Sequence, residues 1–518
     1  MSFSTFHVSR FTVWACSLLV AAFAFGQPPV LPPHVDQPPD PAKKEPPKKK
    51  QAGEVSMFAP DAGPTQSRNE TKRPPSTPSL VVMAKLRWGH STTVDYGDGR
   101  KVTYEEWWGN RNDAFNLMEY VTTKFQTGTV YRHLEEDIDK LNFDPAEIPI
   151  VYITGHFNLT FTDKQRELLR KYLVKGGTLI INACCGDPVM RAAADREIRK
   201  MFPERSLQEL PPDHPIFYSY NNLKKLRYQY GEQVFEDVPH IYGTDIGART
   251  AIFYSKYDLS NAWAAHGQKL PQAENIYGES AREMGGNLVA YVLANAELGQ
   301  YLGEPVPVFS GQRSPGSAFI WTQIQHGDDW DPMPTAPNSL MADLYANSRL
   351  NVEFARREVK LEGTDLFDYP FTYFTGMYNF EFSPAQVENL REYFRRGGFM
   401  LVDASQGRLR FNAAFRREMA KVFPDNPLQP IPRDHPLYTS GLVRIQKIRY
   451  MPMVTLEQPG IDEPVLEGIF VKNRLAVVYS KYDLATGWTG VNSPYCHGVQ
   501  TTDALSLGMN IVGYFLSH

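Results

Sequence analysis

Two side-chain pairs in this sequence have the types that nucleophilic catalysis needs. Cys184 with His214, and Ser405 with His435, stand at matching places in the two halves of the chain. A thiol or hydroxyl becomes a strong nucleophile at neutral pH when an adjacent imidazole takes its proton. A strand-to-helix turn would expose Cys184 and Ser405, and a helix N-terminus would favour their anions. Each histidine, however, sits in an Asp-His-Pro tripeptide, Asp213-His214-Pro215 and Asp434-His435-Pro436. The plainer reading of that tripeptide is a turn in which the aspartate bonds local backbone and the proline fixes the bend.

Two other constellations have the chemistry to hold a ligand. His326-Gly327-Asp328-Asp329-Trp330-Asp331 gathers an imidazole and three carboxylates, a donor set suited to a divalent cation. The first half has Trp88-Gly89-His90 at the corresponding place, without the acids, so such a metal site would belong to the second half alone. The competing reading is an acidic loop capping the next turn. Tyr254-Ser255-Lys256-Tyr257-Asp258-Leu259, with Trp263 behind it, recurs as Tyr479-Ser480-Lys481-Tyr482-Asp483-Leu484 with Trp488. An aromatic beside polar groups can hold a sugar ring or a peptide. Lys256, Asp258, Trp263, Lys481, Asp483 and Trp488, with Thr154 and Thr375, are therefore candidate ligand-binding residues. The alternative is a structural Lys–Asp pair over a buried tryptophan.

These matches belong to a duplication of the chain. Gly176-Gly177 and the run behind it match Gly397-Gly398 at an offset of 397 − 176 = 221. The offset holds for Phe202-Pro203 with Phe423-Pro424, for the two Asp-His-Pro turns, and for Tyr152-Ile153-Thr154-Gly155 with Tyr373-Phe374-Thr375-Gly376. It becomes 479 − 254 = 225 for the Tyr-Ser-Lys-Tyr-Asp-Leu segments. Chance does not produce this series.

Each copy alternates strands and helices. Apolar runs at 81–86 and 318–324 predict opening strands, followed by helices over 116–125 and 338–345. Buried strands are expected at 150–154 and 371–375. Thr162 with Gln165, and Ser383 with Gln386, are capping boxes, and Pro384 suits the first helical position. The glycine pairs stop those helices, and Phe-Pro ends the next one. Strands at 466–471 and 475–480 flank Lys472-Asn473 as a hairpin. Closing helices carry Asn287 and Tyr291, matched by Asn510 and Tyr514. Such alternation implies a mainly parallel sheet covered on both faces. Ligands of such sheets bind outside the carboxyl ends of the strands.

Composition sets the frame. The 518 residues, 42% hydrophobic, suffice for two large cores, and a net charge of −4 argues against a nucleic-acid binder. Arg10, the apolar run at 11–25 and Ala24-Phe25-Gly26 read as a signal peptide over 1–26, cleaved before Gln27. Residues 27–79, rich in Pro and Lys, read as a disordered linker, because so polar a segment cannot offset its ordering entropy. No membrane span is expected after cleavage. The repeats then occupy 80–303 and 304–518. Removing the signal leaves Cys184, Cys185 and Cys496, an odd number. One bridge from Cys496 to Cys184 or Cys185 is left open.

The double glycine, the strand behind it, the Phe-Pro and the Asp-His-Pro together resemble the bacterial family of domain of unknown function 4159, over both repeats. The Gly-Gly-strand and His-Pro-Ile/Leu pattern also looks like the trehalose-utilisation-type branch of the class I glutamine amidotransferase-like fold. That resemblance implies two tandem flavodoxin-like three-layer α/β sandwiches. Members of that fold with glutaminase activity place a cysteine in Gly-x-Cys-x-Gly with a later His-x-Glu. Ala183-Cys184-Cys185-Gly186 lacks the first glycine, Ser405 replaces the cysteine in copy two, and neither copy has His-x-Glu after that position, so glutaminase activity is not expected. The expectation is a non-catalytic binding or scaffolding protein of the periplasm or cell envelope, with an envelope protein or glycan as partner and no cofactor. One alternative is an envelope hydrolase using Cys184/His214 or Ser405/His435. Another is a carbohydrate binder through the strand ends near Trp263 and Trp488.

Overall fold

A computed structural model of the protein describes residues 80–518 apart from 96, 98, 265–272, 307–317, 349 and 440–441. The signal-peptide and linker readings, 1–26 and 27–79, fall outside the described residues.

The first repeat contains β1 (Leu80–Arg87), β2 (Ser91–Asp95), β3 (Lys101–Glu105), β4 (Val130–Asp137), β5 (Ile150–Gly155), β6 (Thr178–Ala183), β7 (Gln208–Glu209), β8 (Leu226–Tyr230), β9 (Gln233–Asp237), β10 (Tyr242–Ile246), β11 (Arg249–Ser255) and β12 (Glu274–Ile276). Seven of them form one sheet in the order β4-β1-β5-β6-β11-β10-β7. Pairing is parallel from β4 through β11, and β10 and β7 close the sheet antiparallel. The second repeat contains β13 (Phe319–Gln325), β14 (Val352–Lys360), β15 (Phe371–Gly376), β16 (Phe399–Ala404), β17 (Gln429–Pro430), β18 (Glu467–Val471) and β19 (Arg474–Ser480). Its sheet repeats that order strand for strand, β14-β13-β15-β16-β19-β18-β17. Every residue of β5, β6, β15 and β16 is buried, as a parallel sheet covered on both faces requires. Along β5, Ile150 and Tyr152 enter one core while Val151 and Ile153 enter the other. The architecture is thus a three-layer α/β fold in two tandem copies.

The local punctuation has the physical causes read from the sequence. Thr162 and Ser383 both complete capping boxes. Gly176 and Gly397 take φ of 109° and 98°, a region barred to side chains. A Cβ on Gly177 or Gly398 would stand 2.2 or 2.4 Å from the ring of Tyr172 or Tyr393, which folds back over the helix end. Lys472 and Asn473 both have positive φ (50° and 65°), the geometry of a tight two-residue hairpin turn.

Two departures matter for the site. The helices after the opening strands span Asp113–Phe125 and Ala336–Asn347, and in the first repeat the β2–β3 hairpin is inserted before the helix. Lys85 pairs with Tyr152, and Gln323 with Tyr373. The separations are 152 − 85 = 67 and 373 − 323 = 50 residues, so the first repeat carries 17 more. In addition, Cys184, Cys185 and Cys496 are all free, so the bridge left open by the sequence is not formed.

The repeats pack on each other. Ala248 and Leu298 join the core of the second repeat, Tyr291 stacks on Tyr495 with centroids 6.0 Å apart, and Tyr378 donates a hydrogen bond to the half-buried Asp245.

Candidate thiol and imidazole site

At the carboxyl ends of β1, β5 and β6 the first repeat buries a connected polar network. Lys85, fully buried in β1, places Nζ 2.6 Å from Asp113 Oδ1 and donates to Asn110 O at 2.5 Å. Tyr152 donates to the other oxygen of Asp113 at 3.0 Å. Burial pushes the Asp113 carboxyl up, and Lys85 is the strongest opposing influence. Beside it, Asn182 donates to Thr154 Oγ1 and to Asp258 Oδ1, at 3.1 and 2.9 Å. Asp258 also accepts from Cys185 N, Ser260 N and Ser260 Oγ. One buried carboxylate thereby gathers the ends of β6 and β11 and the turn at 184–186.

That turn carries the reactive groups. Cys185 has φ 55° and ψ 11°, and Gln406 has φ 55° and ψ 8° at the same place in the second repeat, so the strained backbone belongs to the fold and not to the cysteine. His156 Nε2 lies 3.3 Å from Cys185 Sγ, and the two sulfurs are 4.0 Å apart. Asn261 directs an N–H at Cys185 Sγ at 3.8 Å, while Asn110 and Ser260, whose hydrogens go to closer acceptors, lie 3.8 and 3.7 Å from Cys184 Sγ. Cys184 is buried, while Cys185 and His156 are half-buried. The neighbouring Cys184 thiol and burial push the Cys185 thiol up, against the pull of His156.

The second repeat retains the frame and loses the chemistry. By the 221-residue offset, His156 becomes Met377, Cys184 becomes Ser405 and Cys185 becomes Gln406. Ser405 Oγ is buried without a partner. The side chain of Gln406 fills the site, bonding Asp483, Thr486 and Ser493. The charges move as well. Lys85 and Asp113 become Gln323 and Ala336, and Asn182 becomes Asp403, so that Tyr373 donates to Asp403 at 3.1 Å where Tyr152 donates to Asp113.

Asp403 and Asp483 are two fully buried carboxyls in one network. Burial raises both, and the charge of Asp483 raises Asp403 further. A carboxyl raised in the folded state holds a proton that the unfolded chain has released. Its contribution is therefore complete at acid pH and is lost as pH rises through the raised value. Asp403→Asn, which installs the first repeat's residue, is expected to flatten this decline and to stabilise the chain at pH 8 by about 1–2 kcal/mol. Urea unfolding of both proteins at pH 5 and pH 8 checks it, and equal pH dependence in the two would refute the assignment.

The structure does not bring the expected catalytic pairs together. His214 uses Nδ1 to accept from Ile216 N and Nε2 to bond Thr250 Oγ1, at 3.1 and 3.0 Å, so its ring caps its own turn. Cys184 contacts Asn110, Ser260 and Cys185 instead. His435 likewise accepts from Leu437 N at 3.2 Å, and Ser405 does not reach it. The turn is structural, but the histidine and not the aspartate makes its side-chain cap.

The proposed metal loop is also dispersed. His326 bonds Thr375 O and stacks on Phe374, Asp328 accepts from Ser206 N, Asp329 from Met377 N and Tyr378 N, and Asp331 pairs with Arg356. The Lys–Asp pairs are not formed. Lys256 lies 3.9 Å from the Tyr242 ring centroid and Lys481 5.0 Å from that of Tyr482, while Asp258 and Asp483 organise the buried networks. Trp263 and Trp488 are each 2% exposed and donate to Ala281 O and Ala504 O, so neither offers a face to a sugar. Gly285 and Gly508 admit those indoles, since a Cβ on either would stand 3.0 Å from the indole nitrogen. Thr154 and Thr375 are buried, bonding Asn182 and Asp403 O.

Sequence reasoning missed His156, Lys85 and Asp113. The legible signal was difference between the copies: His156 follows the shared Thr-Gly where the second repeat has Met377.

The inserted hairpin leads into a strap, 105–111, across these strand ends. A Cβ on Gly109 would lie 2.9 Å from Cys184 Sγ, so only glycine lets the strap rest there. Residues of the strap also line a cavity of about 640 Å³, with Arg87, Trp88, Glu105, Trp107, Trp108, Arg111, Glu135 and Asp137 among its walls. Arg111 stacks 4.2 Å from the Trp108 centroid and Arg87 5.5 Å from that of Trp107.

Fold and site define a tandem α/β protein in which one copy holds a thiol–imidazole cluster and the other a counterpart filled by Gln406. Residues 92–293 and 320–516 both match the family described as Domain of unknown function (DUF4159), and the chain belongs to that family in two tandem copies. No curated protein matches it.

Proposed function

We propose that the protein is an exported, non-catalytic binding protein of the periplasm or cell envelope, and that it holds a glycan in the groove of the first repeat. Export rests on the n-region, apolar run and small residues before Gln27. The observation that carries the binding assignment is the groove itself, where Trp88, Trp107 and Trp108 stand among two arginines and three carboxylates. Indole faces take the apolar face of a sugar ring, and the charged groups take its hydroxyls. This moves the aromatic platform from Trp263 and Trp488 to the half-buried Trp107 and Trp108, while Trp88, 4% exposed, donates its indole N–H to Thr154 O behind them.

Calorimetric titration with envelope glycan fragments tests it. Trp108→Ala is expected to weaken binding at least ~10-fold, about 1.4 kcal/mol. Binding that ignores both Trp107→Ala and Trp108→Ala, or no binding to any fragment, would sink the assignment.

A thiol hydrolase is a second reading, favoured by one observation: Cys185 sits on a strained strand-to-helix turn 3.3 Å from His156. It requires a thiolate at neutral pH, whereas Cys184 and burial push this thiol up. The pH midpoint of Cys185 alkylation in metal-free protein is accordingly expected above the ordinary ~8.5. A midpoint below 7 would instead establish the nucleophile.

A further inference from the structure

The cluster His156, Cys184 and Cys185 lies apart from the groove and has chemistry of its own. A ring nitrogen of His156 and the two sulfurs all fall within 4.8 Å of one another, the only such group able to hold a metal among the described residues. Metal–sulfur bonds of about 2.3 Å and metal–nitrogen bonds of about 2.0–2.1 Å set ligand atoms about 3.5–4.0 Å apart on a tetrahedral or trigonal ion. The observed 3.3 Å between Nε2 and Cys185 Sγ, and 4.0 Å between the sulfurs, bracket that spacing.

From this geometry we infer that the first repeat binds one zinc-like thiophilic divalent cation through His156 Nε2, Cys184 Sγ and Cys185 Sγ.

Three further features support the site. Asn261 points an N–H at Cys185 Sγ, and the amide of Asn110 and hydroxyl of Ser260 lie 3.8 and 3.7 Å from Cys184 Sγ, a polar shell of the kind that surrounds ligating thiolates. Asp258 fixes the turn by accepting Cys185 N at 2.7 Å. Its oxygens are taken up by protein donors, so it adds negative charge beside the sulfurs without serving as a ligand. Cys185 and His156 are half-buried, which leaves an entry path and an open fourth position, the arrangement of an exchangeable rather than a closed structural site. As the two metal–sulfur bonds form, both thiol protons leave to solvent, and His156 binds as the neutral imidazole. Loss of all three ligands in the second repeat, with its frame intact, is what relaxed selection on a duplicated metal site would leave.

The inference does not rest on glycan binding, and its test reads the metal directly. Reduced, chelator-stripped full chain is titrated with Zn²⁺ against a chromophoric chelator, and separately with Co²⁺. One ion per chain is expected, with a thiolate-to-cobalt charge-transfer band and a tetrahedral d–d spectrum. The variant combining His156→Met, Cys184→Ser and Cys185→Gln carries the residues that the second repeat already accommodates. It is expected to lose at least ~100-fold in affinity, while Cys496→Ser leaves affinity unchanged. Equal affinity in the triple variant, loss in Cys496→Ser, or a cobalt adduct without the charge-transfer band would overturn the site. Should the triple variant fail to fold, the wild-type cobalt spectrum decides alone.

Discussion

Lys85→Gln is expected to destabilise the chain by about 3–5 kcal/mol, because it strands the buried carboxylate of Asp113. Lys85 and Asp113 are each fully buried and 2.6 Å apart, and among the described residues the other donors to Asp113 are Tyr152 and the Ala114 amide. Removing the ammonium leaves a charge that water cannot reach. The second repeat shows how the same fold lives without the pair. With Gln323 and Ala336 in those places, the tyrosine hydroxyl turns to Asp403 in the strand beside it. Combining Lys85→Gln with Asp113→Ala and Asn182→Asp is therefore expected to restore most of the loss. Chemical denaturation of the single and triple variants measures both numbers. A single-variant cost under 1 kcal/mol would mean that the pair is not buried as described.

Asp258→Ala is expected to cost about 4 kcal/mol or more. It orphans Cys185 N, Ser260 N and Ser260 Oγ and removes one of two acceptors of Asn182. Each buried unpaired donor costs about 1–3 kcal/mol. The Cys185 turn, held at positive φ by the bond to this carboxylate, loses its anchor as well. Asp258→Asn keeps one acceptor oxygen and is expected to fall between wild type and alanine. The same denaturation experiment orders the three proteins, and an alanine variant as stable as wild type would show that the network carries none of the turn's strain.

Both predictions come from polar side chains meeting across the strand ends, and here the sequence was least legible. The motif Tyr-Ser-Lys-Tyr-Asp-Leu singled out Asp258 and Asp483 as ligand candidates or lysine partners, and both instead accept from the amides of the turns at 185 and 406. Residues two apart share a face of a strand, so lysine and aspartate at that spacing look like a pair in the linear chain, yet both Lys256 and Asp258 lie past the end of β11. Asp258 turns inward to the amides of its neighbours, while Lys256 settles over Tyr242. The repeated tryptophans misled for a similar reason. Duplication preserves a buried Trp against a helix glycine as faithfully as it preserves a binding residue.

What the sequence determined by itself is everything that depends on short-range pattern. The 221-residue repeat, the alternation of strands and helices, the capping boxes, the glycine stops and the Lys472-Asn473 turn follow from periodicity, dihedral preference and local hydrogen bonding, all of which act within a few residues. Only the tertiary structure decided which reactive groups meet. His156 finds Cys185 because β5 and β6 run parallel and end in register, Gly155 opposite Ala183, so the residues just beyond them share one edge. His214 turns away from Cys184 because its ring caps the turn that begins with it. Periodicity says which face of an element is buried; it does not say which of two imidazoles a thiol will find, since that choice is made by strand register over a separation of 29 residues in the chain.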